Sequence, residues 1–226
     1  MVSLFEVRQD SLTSLGDGVV VPQALLRMGI APVANKWDLL ALAGYMFNAK
    51  QATIGTAIAG SAQNAAGIVV TAPSFGFTVP TGITVFPHRF NVSFASMAGT
   101  DNEIVIAYTD SDSFTSGGTA CSPLNLRSDN PRATSVTNCK VAAGAAIVEA
   151  AMTNVRALYQ AVVPLAFTFA TSYTLEKTLD IRWENFIPIV GPARFLFWAS
   201  ANTTASTLYF NAEWAEIPTV AAVTGV

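Results

Sequence analysis

His88 is the only histidine in the chain, and Cys121 and Cys139 are the only cysteines, so the nucleophilic and metal chemistry open to this sequence is narrow. One imidazole can act as a general base, but it cannot build a multi-histidine metal centre. His88 lies in Phe86-Pro87-His88-Arg89-Phe90. A serine or cysteine nucleophile would need it together with an orienting acid, and no Gly-x-Ser-x-Gly elbow marks such a nucleophile. His88 is therefore expected to be a hydrogen-bonded residue at a strand entry, without a catalytic role. Cys121 and Cys139 lack the close spacing of a zinc site or a redox pair. They flank Ser122-Pro123, Asn130-Pro131 and Arg132, and they can join only if that segment returns on itself. The N-terminal residues Met1 to Asp10 show no export signal, which favours two separate thiols but leaves the disulfide open.

Oxygen donors are more plentiful. Asp110-Ser111-Asp112-Ser113, followed by Gly117-Gly118, offers hard ligands that calcium uses. The EF-hand pattern fails, because Phe114 takes the next ligand position and no glutamate closes the loop; a solvated hairpin loop is expected, with calcium at Asp110 and Asp112 left open. Asp180 with Glu184, or Glu213 with Glu216, would suit a glycosidase pair. Strand parity instead sets Arg182 between Asp180 and Glu184 as their counter-charge. Gly16-Asp17-Gly18 is followed by three valines rather than by the glycine and lysine of a phosphate loop, so it reads as a turn. Asn91-Val92-Ser93 and Asn202-Thr203-Thr204 match glycosylation acceptors but carry little weight without an export signal. Trp183, Trp198 and Trp214, with Phe186, Phe195, Phe197, Tyr209 and Phe210, could form a sugar platform, although core packing accounts for most of them. No residue is assigned a catalytic, cofactor-binding or metal-ligating role, and the chain reads as a non-enzyme.

The elements that would position these residues are strands. Thr178 to Phe186 alternates Leu179, Ile181, Trp183 and Phe186 against Asp180, Arg182 and Glu184. Arg89 to Phe94 and Thr207 to Ala215 alternate in the same way, whereas Glu103 to Thr109 and Arg194 to Ala199 are continuous apolar runs that suit strands covered on both faces. Turn residues punctuate these runs at short intervals, as in Pro80-Thr81-Gly82, Ser116-Gly117-Gly118 and Gly191-Pro192. An antiparallel sandwich follows. Asn35 to Ala43 is predicted helical, with Asn35 as cap and Gly44 as stop, and Val141 to Tyr159 suits helix and strand equally. Gly55 to Ala72, free of aromatics, is read as small-residue strands and loops close to another backbone, and the chain before about Ala65 fits no strand framework. Ala157 to Leu175 reads as two strands and a turn.

Composition bounds the rest. The chain has 226 residues, of which 51% are hydrophobic and only 12% charged, with a formal net charge of -3. Such a chain buries enough apolar surface to fold, and its charge balance offers no nucleic-acid groove. Pro73, Pro80 and Pro87 interrupt the charge-free stretch from Gln51 to His88, so no membrane span is expected. Arg89 is the only charged residue from Gln51 to Thr100, and a surface that poor in charge is expected to be covered by neighbouring subunits.

Trp183-Glu184-Asn185-Phe186-Ile187-Pro188, the Gly191-Pro192 turn, Phe195 to Ala199, and Ala212-Glu213-Trp214-Ala215-Glu216-Ile217-Pro218 together are similar to the closing strand pairs of jelly-roll virion proteins of bacteriophages and other viruses. The likeness runs in pattern from Gly67 to Pro218 and in residue detail only through the last third, with no functional residue to carry over. It implies an all-β jelly-roll sandwich over 35–226 with at most one or two short helices, preceded by an extended arm over 1–34 that holds a neighbour. The function implied is a virion structural protein that self-assembles as trimers or a larger shell, into or onto a capsid, with other virion proteins as further partners. The alternative is a trimeric receptor- or glycan-binding virion module such as a fibre head. No cofactor is implied.

Overall fold

The computed structural model describes residues 36–51, 55–64, 67–96, 101–129, 132–152, 154–163, 178–201 and 206–219. The chain runs through α1 (Lys36–Leu42), β1 (Met46–Lys50), β2 (Ile58–Ala59), β3 (Ser61–Asn64), β4 (Gly67–Ile68), β5 (Phe75–Val79) and β6 (Ile83–Ser96). It continues through β7 (Asn102–Thr109), β8 (Phe114–Gly117), β9 (Thr119–Ala120), β10 (Leu124–Asn125), β11 (Thr137–Val141) and β12 (Ile147–Glu149). The last third holds β13 (Arg156–Val163), β14 (Thr178–Arg182), β15 (Ile189–Val190), β16 (Ala193–Ala201) and β17 (Thr207–Pro218).

These strands build an all-β sandwich. One sheet has the order β10-β1-β17-β6-β14, the other β13-β7-β16-β5-β11-β9, and apart from the β16–β3 contact the pairings are antiparallel. The cause is the alternation read from the sequence: on β17, Leu208, Phe210, Ala212 and Trp214 are buried, while Tyr209, Asn211 and Glu213 are half-buried on the other face. They meet the inward residues of β5, β7 and β16 in a single core, where rings cross between the sheets. Phe77 stacks on Trp214 with centroids 4.6 Å apart, Phe75 meets Phe210 at 4.7 Å and Phe90 meets Phe197 at 4.5 Å.

β16 is buried on both faces, as its continuous apolar run predicts. Phe195 and Phe197 point into the main core, whereas Leu196 and Trp198 pack outside the sheet with Ala107, Ile68 and Met152. The β8–β12 ribbon, a separate two-stranded sheet, follows from the same outer face. The expected short helix is α1, whose Trp37 joins Met46, Phe86 and Ala215 in a satellite cluster. Val141 to Tyr159 takes the strand alternative, as β12 and the start of β13.

Three expectations are corrected. The chain before Ala65 does enter the strand framework: β1 lies between β17 and β10, with Met46, Phe47 and Ala49 buried, and its alternation is short enough to pass unnoticed in the sequence. The strand at 178–186 ends at Arg182, and Phe186 is 41% exposed at its solvent side instead of continuing the apolar face. The loop after Asp110 is not a free hairpin, because Ser113 is buried and Ala150 N donates to its carbonyl. The close backbone approach predicted for the small-residue region is met at Gly60, where a Cβ would lie 2.4 Å from the carbonyl oxygen of Ala199. The proposed arm over 1–34, the Gly16-Asp17-Gly18 turn, the Asn202 acceptor and 164–175 lie outside the described residues.

Candidate functional site

His88 sits within β6 rather than at its entry. The register of β17 on β6 passes from Glu213 opposite Arg89 to Trp214 opposite Pro87, which makes His88 the extra residue of a β-bulge. A bulge turns its side chain out of the alternation, here against α1. The imidazole stacks on Trp37 with centroids 4.3 Å apart, and the Phe186 ring meets Trp37 edge-on at 4.7 Å. Lys36 Nζ lies 4.3 Å from the Phe186 centroid. The hydrogen bond expected of His88 is missing at Nδ1, which is buried with no partner among the described residues. Burial pushes the imidazole pKa below its ordinary value, with Glu213 opposing and Arg182 and Arg89 reinforcing the shift. The imidazole thus joins an aromatic stack between β6 and α1.

The oxygen donors of the 110–113 loop diverge. Asp110 Oδ2 accepts from Arg156 Nη2 at 2.9 Å, while Asp112 Oδ1 accepts from Thr78 Oγ1 at 2.9 Å and from the Phe114 amide at 3.1 Å. Asp112 thus anchors the loop onto β5, and the two carboxylates serve different partners. Among the described residues no group of three or more histidine, cysteine, aspartate or glutamate side chains is placed to hold a metal ion.

The carboxylate pairs separate as well. Asp180 accepts from Arg89 Nε at 2.6 Å and Arg182 Nε at 2.9 Å, an arrangement that holds its pKa below the usual range, chiefly through the Arg89 bond. Arg182 is the expected counter-charge of Asp180, and Arg89, from the neighbouring strand, is an additional one; Glu184, expected to share Arg182, lies beyond the end of β14 and off its strand face. Glu216, on β17 between β1 and β6, is fully buried, and its carboxylate accepts from Thr134 Oγ1, the Ser135 amide and Trp214 Nε1. It ties the 132–136 segment to β17, whereas Glu213 remains half-buried and bonded to Asn211.

The strongest polar constellation was not singled out from the sequence. Arg194 and Glu149 form a fully buried ion pair on the outer face of the second sheet. Arg194 Nε and Nη2 donate to Glu149 Oε1 at 3.0 and 2.8 Å, and Nη1 donates to Thr78 Oγ1 at 3.2 Å and to the Asn138 carbonyl at 2.9 Å. Ser113 Oγ donates to Glu149 Oε2 at 2.8 Å, and the Phe114 ring lies over the guanidinium at 4.9 Å. The pair pins the β8–β12 ribbon to β16 and β5. A signal for it exists: Arg194 opens an apolar strand that is covered on both faces, and a charge there requires a partner. Glu149 gives no such sign, since it stands on a short strand between Val148 and Ala150.

The three tryptophans weighed as a sugar platform take the core packing expected of them: Trp183, Trp198 and Trp214 are 9%, 1% and 2% exposed. Cys121 and Cys139 are both buried as free thiols and come together across β9 and β11. The contacts of Asp112, Glu149, Arg194 and Glu216 fasten loops and the β8–β12 ribbon to the two sheets. No protein-family model, no curated protein and no solved structure matches the chain.

Proposed function

We propose that this chain is a viral structural protein, a jelly-roll-type subunit that self-assembles into or onto a capsid shell. The observation that carries the reading is an apolar patch left on the surface at one end of the first sheet. On α1, Leu39 and Leu42 are 51% and 69% exposed, and Leu126, just after β10, is 41% exposed. Leu42 and Leu126 line one shallow groove with Ala41, Arg127, Ser128 and Asp129, in which Arg127 donates from Nη1 to the Leu42 carbonyl and pairs with Asp129. Isolated exposed leucines need no explanation, but a contiguous group on a chain with 12% charged residues favours burial by a partner. Leu124, 56% exposed on the short strand β10 at the edge of that sheet, belongs to the same end of the molecule. The residues with chemistry to offer support the same reading, because their contacts are those of fasteners within the sandwich. Assembly by closed symmetry would bury the patch and the strand edge in one contact.

The experiment is light scattering and electron microscopy of the purified protein, with Leu42→Asp as the comparison. Trimers or larger particles are expected for the native chain, and a shift to smaller species for the variant. A native chain that stays monomeric at high micromolar concentration overturns the reading. Discrete trimers that bind glycans on an array would replace it with a receptor-binding module.

A further inference from the structure

We propose that Cys121 and Cys139 are a redox-active pair that closes a reversible disulfide across the edge of the sandwich. Lys140 is opposite Ala120 and Val141 opposite Thr119, so one further step of the register sets Cys139 opposite Cys121. The Cys121 amide donates to the Cys139 carbonyl at 2.9 Å, which confirms the step. Directly opposed residues on antiparallel strands have Cα atoms about 4.5 to 5.5 Å apart, within the span of about 4.4 to 6.8 Å that a disulfide bridges. Both side chains point into the same core cluster and are 7% and 8% exposed.

The surroundings hold the pair still. Asn138, next to Cys139, has φ of 46°, and the register of β11 on β5 is irregular between Thr137 and Lys140. The Asn138 carbonyl is held by the buried Arg194 guanidinium. Cys121 Sγ donates to the Lys50 carbonyl, 2.8 Å away, on β1 of the other sheet. The pair therefore lies where the chain crosses from the second sheet to the first, and a bond there closes the 122–138 segment that carries β10 and the Glu216 contacts. The thiols also differ. Cys139 donates to the Cys121 sulfur, which favours the thiolate at Cys121, while that bond and burial push the Cys139 thiol well up. Cys121 directly follows β9, the two-residue edge strand of its sheet, between the exposed Ala120 and Ser122, so local opening of that edge brings its sulfur to solvent first.

With oxidised glutathione as oxidant, the Cys121 thiolate attacks one glutathione sulfur, the glutathione disulfide breaks and one glutathione thiolate leaves. Cys139 then loses its proton and attacks the Cys121 sulfur of the mixed disulfide, expelling the second glutathione. Two protein thiols become one disulfide and two electrons pass to one glutathione disulfide, which becomes two thiols.

The test incubates the reduced full-length protein with oxidised glutathione, quenches in acid, unfolds, labels free thiols with N-ethylmaleimide and measures intact mass and migration on a non-reducing gel. With two cysteines in the chain, a protein that carries neither maleimide nor glutathione and migrates as a monomer has closed the bond. That product, restored to two labels by dithiothreitol, is expected. Two labels after prolonged incubation, or only a glutathione adduct or a linked dimer, overturns the proposal. Cys139→Ser is expected to accumulate a single glutathione on Cys121, and the absence of that adduct refutes Cys121 as the entry thiol.

Discussion

Removing one half of the buried Arg194–Glu149 pair tests the account of how the β8–β12 ribbon is held. Glu149→Gln keeps the shape and the Ser113 contact but leaves the guanidinium, fully buried, without its counter-charge. Four hydrogen bonds converge on that guanidinium, two of them to Glu149 Oε1, and losing one partner of such a pair costs about 3 to 5 kcal/mol. For a chain of this length each kcal/mol lowers the melting temperature by about 2 to 4 °C, so a fall of about 6 to 20 °C is expected in calorimetry at pH 7.5. Arg194→Met leaves the opposite defect, a buried carboxylate with Ser113 as its remaining donor. A buried charge left without its partner is destabilising by a similar amount, so Arg194→Met should melt well below the native protein at pH 7.5. Combining Arg194→Met with Glu149→Met should recover part of the loss, because no charge is then stranded. A Glu149→Gln deficit under about 1 kcal/mol, or a double variant no more stable than Arg194→Met alone, would refute the reasoning.

His88 gives a single imidazole resonance, and its midpoint in an NMR titration should fall below the ordinary value of about 6.5. Because that pKa is depressed on folding, the native protein should lose stability as pH falls from about 6.5 through the folded midpoint, and His88→Gln should flatten this part of the profile while leaving assembly intact. Asp180→Asn should cost no more than about 1 kcal/mol in denaturant unfolding despite two arginine partners, since all three side chains are partly exposed. Gly60→Ala should destabilise by about 1 to 3 kcal/mol, because the added methyl meets the Ala199 carbonyl oxygen at 2.4 Å and backbone must yield; a neutral result would show that β2 and β3 can move away from β16 at little cost.

Alternation and composition determined a good deal without tertiary information. Residues such as Phe90, Val92 and Phe94, or Leu208, Phe210 and Trp214, bury one face of a strand because a period of two leaves no other arrangement, and that is enough to specify an all-β sandwich with the last third at its centre. The continuous run of β16 likewise announces a strand covered on both sides. What covers it lies beyond the reach of local pattern. Arg194 and Glu149 are 45 residues apart, Glu216 and Thr134 are 82 apart, and each pairing arises only once the sheets bring distant segments together. The same is true of His88, whose place depends on a register shift between β6 and β17 that neither strand encodes alone. Cys121 and Cys139 show the division most plainly. The sequence favours separate thiols while leaving a bond open, and it is the pairing of β9 with β11 that sets them face to face, because register is a property of two strands together and not of either sequence by itself.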